Sequence, residues 1–371
     1  MKFVDEFRDP AKARALLAAI EALAPADGRP LQIMEFCGGH THALFRHGLL
    51  ACLPPTVEFV HGPGCPVCIL PRERVDRALA LAARPQVILA TFGDLLRVPG
   101  SRASLAQARA AGADVRTVYS PLDALDLARA HPRREVVFLA IGFETTLPAT
   151  ALTVLAAERE GLANFSLLCE HVTTPATLRA LLQDPDLRLD GLIAPGHVAM
   201  VLGEGPFAFV AEEFAKPLVI SGFEPLDLLY ALWRVLRQRA AGEARVENPY
   251  ARVVRREGNP AGKAAVATVF DLTATAELRG LGPIAGAGVR LRPAFAHRDA
   301  ARRFCLPEPE PAPEATPCGM VLKGRMRPSA CPHFGRACTP RTPLGAPMVS
   351  AEGACAAYHR FAARPAPEAA P

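Results

Sequence analysis

A chain of 371 residues is long enough for two or three domains with a sizeable buried core. Half of it is apolar and a fifth is charged, the balance of a globular protein; a net charge of +5 without any basic run interleaved with aromatics argues against nucleic acid as a partner. Met1–Asp9 is charged and carries no apolar stretch ending in a small-residue cleavage site, and no run of about 18 apolar residues suggests a membrane span. The expectation is therefore a cytoplasmic protein with no membrane partner, where clustered cysteines more often bind metal or do redox work than form structural disulfides.

In chain order, apolar runs of strand length alternate with Ala/Leu-rich helical stretches. Strands are predicted at Leu31–Phe36, Val57–Val60, Gln86–Thr91, Asp114–Val118, Glu135–Ile141, Phe165–Leu168, Gly191–Ala194 and Pro217–Ser221. Helices are predicted at Ala11–Leu23, Arg72–Ala83, Leu105–Ala111, Ala149–Glu160, Pro175–Leu182 and Pro225–Arg239. This alternation predicts parallel sheets with helices on both faces. A short internal echo, Ile141-Gly142-Phe143-Glu144 against Ser221-Gly222-Phe223-Glu224, suggests two related α/β halves facing each other. Leu306–Pro317, a run of Pro, Glu and Ala, reads as an extended linker, and Ala362–Pro371 as a disordered tail.

The chemistry-bearing residues follow the strands, and open α/β sheets bind ligands outside the carboxyl ends of their strands. Cys37 lies in Glu35-Phe36-Cys37-Gly38-Gly39-His40-Thr41-His42, between a strand and the start of a helix. A helix N-terminus is expected to lower the thiol pKa, and the glycines to let a ligand approach the backbone. His40 and His42 add imidazoles, although a buried cysteine at a tight turn with surface histidines would look similar. Cys65 and Cys68, in Gly62-Pro63-Gly64-Cys65-Pro66-Val67-Cys68, form a Cys-x-x-Cys that suits a reversible disulfide or two metal bonds. With Cys37 and a histidine they could also hold zinc. Asp94 (Thr91-Phe92-Gly93-Asp94) and Glu144 (Gly142-Phe143-Glu144-Thr145-Thr146) are carboxylates for the same cleft or, equally, acids of a helix first turn. His197 reads as a packed or capping histidine, and Cys52, Cys169 and Cys305, without partners at ligand spacing, as small hydrophobic residues.

Near the C-terminus, Cys318-x12-Cys331-x6-Cys338-x16-Cys355 places four cysteines among Pro and Gly. Such a segment would scarcely form a core unaided, and a metal centre would supply the missing stability. The spacing lacks the paired Cys-x-x-Cys knuckles of zinc ribbons, which favours a [4Fe–4S] cluster over zinc.

Taken together, Glu35–His42, Gly62–Cys68, Thr91–Pro99, Gly142–Thr146, Pro195–Val198 and Gly222–Leu226, followed by Cys331–Pro340 and Met348–Cys355, resemble the successive signature blocks of the HypD family of [NiFe]-hydrogenase maturation proteins, from about Phe3 to Phe361. The resemblance implies two Rossmann-like parallel-sheet domains facing a cleft, plus a small C-terminal iron–sulfur cluster domain. We divide the chain accordingly into 1–125, 126–300 and 301–371. It further implies a scaffold that, with a HypC-type chaperone and a transient HypE-type cyanide donor, assembles the Fe(CN)2CO moiety. Cys37 would be the iron-linked thiol, with Cys65 and Cys68 adding iron ligation or a redox couple. His40, Asp94 and Glu144 would serve proton transfer or hydrogen bonding, and Cys318, Cys331, Cys338 and Cys355 would hold the cluster. Two positions depart from the family pattern: Thr316 and Pro347 stand where many members carry further cysteines. A free-standing iron–sulfur disulfide reductase and a zinc-organised interaction protein remain as alternatives.

Overall fold

The computed structural model describes residues 5–26, 28–308 and 316–362. Each anticipated strand forms: β1 (Leu31–Glu35), β2 (Val57–His61), β3 (Val87–Thr91), β4 (Val115–Thr117), β5 (Glu135–Gly142), β6 (Phe165–His171), β7 (Gly191–Pro195) and β8 (Leu218–Ser221). The two-residue β9 (Val246–Glu247) carries too little apolar sequence to announce itself. The same holds for two small antiparallel pairs, β10 (Phe270–Leu272) with β13 (Val289–Leu291), and β11 (Thr275–Leu278) with β12 (Gly282–Ala285).

The strands build two parallel sheets. The first runs β2-β1-β7-β8-β9 and the second β4-β3-β5-β6. Side chains of period two divide each strand between two cores. Val87 and Leu89 of β3, Val137 and Leu139 of β5, Met34 of β1 and Leu218 and Ile220 of β8 point into one apolar core shared by both sheets. The alternate residues face outward under helices. Ile88, Val136 and Phe138 pack with helices Asp123–Ala130 and Leu147–Arg159. Ile33, Phe59, Ile193 and Val219 pack with helices Pro10–Glu21, Gly38–Arg46 and Pro225–Ala240. The two halves therefore meet through a continuous hydrophobic interior as well as at their strand ends.

The division at residue 125 does not follow the sheets. β1 and β2 pair with β7–β9, whereas β3 and β4 pair with β5 and β6, so the second sheet is inserted between β2 and β7. A strand's own residues specify extension and burial; the choice of sheet rests on the crossover connections and on which faces can be covered together.

Residues 316–362 form short helices and turns, with Cys318–Leu322 and Ala354–Ala357 the α-helical pieces. Leu322, Ala346 and Val349 enter the core between the sheets. Arg327 pairs with Glu58 on β2 at 2.7 Å, Arg325 pairs with Asp184 and Asp186, and Arg97 donates to the Val349 carbonyl at 3.0 Å. This module is thus seated against both sheets. Residues 309–315 of the expected linker, and the expected tail past residue 362, lie outside the described residues. Among the described residues no helix is long and apolar enough to cross a membrane.

Candidate functional site

In the first sheet the strand order reverses direction between β1 and β7, and the crevice at such a reversal is where doubly wound sheets bind ligands. Cys37 stands there. It adopts an extended conformation at the N-cap of helix Gly38–Arg46, where its side chain makes no capping hydrogen bond, although the nearby N–H groups of Gly39 and His40 favour its thiolate. Its own N–H donates to Glu35 Oε2 at 3.0 Å. Glu35 is fully buried, and its other oxygen accepts from the Thr41 hydroxyl and from His61 Nδ1 at 2.6 Å. The parallel register of β1 and β2 sets Glu35 directly beside His61, so the sheet itself assembles this anchor. The Gly62-Pro63-Gly64 turn presses on the Cys37 backbone: a Cβ on Gly64 would lie 2.2 Å from the Cys37 nitrogen.

The environment moves the thiol in the direction opposite to the sequence-based expectation. Burial, followed by the Glu352 and Glu35 carboxylates, pushes the Cys37 pKa up to about 12, although the Gly39 and His40 N–H groups pull it down. The helix terminus is present as expected; two nearby negative charges and desolvation outweigh it. Glu352 arrives from the C-terminal module and packs on the helix start, where a Cβ on Gly38 would lie 2.3 Å from Glu352 Cβ. The residue is solvent-accessible at the mouth of the crevice, yet protein crowds its carboxyl. That burial, with Asp94 and Glu35 nearby, raises its pKa. Asp94 accepts from the Ser350 hydroxyl at 3.0 Å, so the second sheet reaches the same place from β3.

Cys65 and Cys68 are buried and are free thiols. They form one tight turn, with the Cys68 N–H bonded to the Cys65 carbonyl at 3.0 Å. Burial, then the bond to Cys65, pushes the Cys68 thiol well up, and the charges of Cys65, Cys355 and Glu352 add to it. The Cys68 sulfur lies 3.9 Å from the Ala346 carbonyl of the module.

Cys318, Cys331, Cys338 and Cys355 surround one small cavity, together with Val321, Phe334, Leu344 and Met348. Gly345 passes over the Cys318 sulfur where a Cβ would come within 2.3 Å of it, and the Leu344 N–H reaches the Cys338 sulfur at 3.4 Å. Thr316 and Pro347, the two departures from the family pattern, line this cavity as well, and the Thr316 hydroxyl donates to Cys318 at 3.1 Å. Four thiols ringing a small cavity lined mostly by apolar residues, with Thr316 and His333, form a donor set suited to a thiolate-ligated centre. Among the described residues no three or more His, Cys, Asp or Glu are grouped so as to hold a single metal ion.

The remaining sequence-predicted residues separate. His40 is fully buried under Phe223, with Nε2 3.3 Å from the Ser221 carbonyl and Nδ1 without a partner among the described residues. Burial lowers its pKa. His197 stacks on the other side of this neighbourhood, 4.0 Å from the Phe223 ring. Glu144 is not brought to Cys37 by any contact. Its two oxygens accept from the Thr174 N–H at 2.8 Å and hydroxyl at 2.6 Å, which ties β5 to the first turn of helix Thr174–Leu182, and burial raises its pKa. His42 packs on Phe361, 5.7 Å between rings. Cys52 and Cys305, read as small hydrophobic residues, are exposed; their apolar neighbours in sequence do not reach over them. Cys169 is half-buried, and burial pushes its thiol up to about 12. Sequence reasoning gave no role to Glu35, His61, Phe223 or Glu352. All four lie inside or beside the quoted signature blocks, and a polar residue on an apolar strand (Glu35, His61) was the available signal.

The site thus joins a thiol at the strand-order reversal of a doubly wound sheet, a buried dithiol near it and a docked four-cysteine module. Comparison with known sequences makes this specific. The HypD family model, described as the hydrogenase formation hypA family, matches residues 11–362. The hydrogenase maturation factor HypD of Rhodobacter capsulatus is 56% identical over 97% of this chain and 98% of its own length. Those of Rhizobium leguminosarum bv. viciae and Escherichia coli K12 are 52% and 49% identical, again over 97% of this chain and over 96% and 98% of their own. The chain belongs to the HypD family of hydrogenase maturation factors.

Proposed function

We propose that the chain is a cytoplasmic scaffold on which, with a HypC-type chaperone and with cyanide groups delivered by a HypE-type donor, the Fe(CN)2CO moiety of the [NiFe] site is assembled. The observation that carries this reading is the seating of Glu352 on Gly38 beside Cys37: a part-buried thiol stands where the first sheet's strand ends meet the cysteine-rich module. Cys37 binds the iron as cargo. A coordinating thiol is deprotonated by the metal outright, so the high pKa of the empty thiol keeps it unreactive until iron arrives. The N–H groups of Gly39 and His40 then stabilise the thiolate, and Glu35 fixes the backbone that carries it. His40, with a buried and unpaired Nδ1, offers a hydrogen bond to a bound ligand from beneath. Asp94 and Glu352 serve hydrogen bonding or proton transfer where the module meets the strand ends. Cys65 and Cys68 serve as a reversible dithiol or as further iron ligands. Glu144, bound to Thr174, holds the second sheet's strand end in shape rather than touching cargo.

Cys318, Cys331, Cys338 and Cys355 hold a [4Fe–4S] cluster in this reading, and when bound it supplies electrons one at a time.

Infrared spectroscopy of the chain co-purified anaerobically with its small partner tests the proposal. Bands of iron-bound CO and cyanide are expected in the parent protein and absent in Cys37→Ala. A Cys37→Ala complex with full-intensity bands would remove Cys37 from the role of iron ligand.

A further inference from the structure

The hairpin of β11 and β12 has no part in the function proposed above, yet it stands between the two groups of cysteines. On one side, the Arg279 N–H donates to the Ile69 carbonyl at 2.8 Å and its Nε to the Leu70 carbonyl at 2.7 Å, the two carbonyls that follow Cys68. Arg279 is 3% exposed, so these bonds are shielded from water. On the other side, Gly280 (φ +70°) lies backbone to backbone against Gly319, the residue after Cys318. A Cβ on Gly280 would lie 2.3 Å from Gly319 Cα, and one on Gly319 would lie 2.8 Å from Gly280 Cα. Two further contacts close a ring. Cys68 touches the Ala346 carbonyl, and neighbouring Gly345 passes over the Cys318 sulfur. The circuit runs from Cys68 through Ala346, Gly345, Cys318, Gly319, Gly280 and Arg279 back to the residues after Cys68.

We propose that the Arg279-Gly280 turn is a strap that sets the redox behaviour of the Cys65/Cys68 pair; this rests on the reading of that pair as a reversible dithiol. Arg279 and Gly280 are positioning residues. They hold the loop in the geometry of two free thiols and seat the module start against it. A contact that favours the reduced geometry makes the dithiol harder to oxidise. Oxidation joins the two sulfurs and gives up two protons and two electrons, which convert one glutathione disulfide into two glutathione thiols.

The test is equilibration of the full-length protein, reconstituted anaerobically with iron and sulfide, in glutathione buffers of graded ratio. Disulfide between Cys65 and Cys68 is read by mass spectrometry after alkylation, and the reduced cluster by its electron paramagnetic resonance signal. Arg279→Gln is expected to shift the equilibrium about tenfold toward the disulfide, the effect of losing a buried charge-assisted hydrogen bond. Arg279→Lys, which keeps charge and a donor, is expected to shift it less. Gly280→Ala is expected to shift it in the same direction and to change the cluster signal; should it fail to fold, the two Arg279 variants decide. Variants that keep the parent's equilibrium and spectrum, whatever their thermal stability, overturn the strap. A parent that forms no disulfide at any ratio overturns the dithiol reading, and the strap with it.

Discussion

At the scale of single residues, the Gly39 and His40 N–H groups draw the Cys37 thiol pKa down, yet burial and the Glu352 and Glu35 carboxylates win and push it up to about 12. Glu352 also carries a raised pKa, from burial and from Asp94 and Glu35. Removing its charge therefore lowers the Cys37 pKa and enlarges the thiolate fraction at any pH below it. In Glu352→Gln, alkylation of Cys37 by iodoacetamide at pH 8 is expected to run about two- to tenfold faster than in the parent, with the advantage vanishing as pH approaches the parent's pKa. Equal rates across that range would show that the Glu352 charge does not reach the sulfur. The site's nucleus, Cys37 within its Gly-Gly-His block, was legible in the sequence. The direction of its acidity was not, because the carboxylate that raises it most after burial comes from the opposite end of the chain.

At the scale of elements, the start of helix Gly38–Arg46 is a junction made of close approaches. Gly64 backs onto the Cys37 and Phe36 backbone, while Gly38 faces Glu352. The two glycines meet different obstacles, and their alanine variants should differ accordingly. In Gly64→Ala the Cβ would lie 2.2 Å from main-chain atoms of β1's exit, which cannot yield. In Gly38→Ala it meets Glu352 Cβ at 2.3 Å and its carbonyl oxygen at 2.6 Å, atoms of the docked module rather than of the sheet's own exit. Urea unfolding is expected to show a loss of about 2 kcal/mol or more for Gly64→Ala and a smaller loss for Gly38→Ala. Only Gly38→Ala should raise protease sensitivity around residues 340–362 while far-UV circular dichroism stays unchanged. The reverse order of the two losses would mean that the module, not the turn, is the rigid partner.

At the scale of the molecule, the cysteine-rich module is held from two directions. Its own apolar cluster is small: Val321, Met348, Cys338 and Cys355 form it, and two of these four are proposed cluster ligands. The body supplies the rest through Leu322, Ala346 and Val349 in the core between the sheets and through the pairs made by Arg325 and Arg327. Loss of the centre should therefore loosen the module without unfolding the sheets. Stripping iron with a chelator, or substituting Cys338→Ala, is expected to lower the thermal midpoint by a few degrees while far-UV circular dichroism keeps its parallel-sheet signature. Metal analysis of the anaerobically purified parent should give about four irons with matching sulfide per chain and no zinc. Zinc without sulfide would replace the cluster by a mononuclear centre.

What the sequence determined by itself was local: which runs are strands, which turns after them carry thiols, imidazoles and carboxylates, and that four cysteines near the C-terminus belong together. These are legible because periodicity, Gly/Pro punctuation and residue chemistry act over a few positions. Only the tertiary structure decided that β1 and β2 join β7–β9 while β3–β6 form a sheet of their own, since parallel pairing is set by crossovers that skip neighbours in the chain. Only it separated Glu144, engaged with Thr174, from Asp94, which meets Ser350 at the crevice, although both follow strands in similar motifs. The anchoring of Cys37 by Glu35 and His61, the carboxylate of Glu352 beside it and the strap through Arg279 are contacts between distant segments. Burial and charge act through space, and their sum at a sulfur is fixed only when the folded chain brings those segments together.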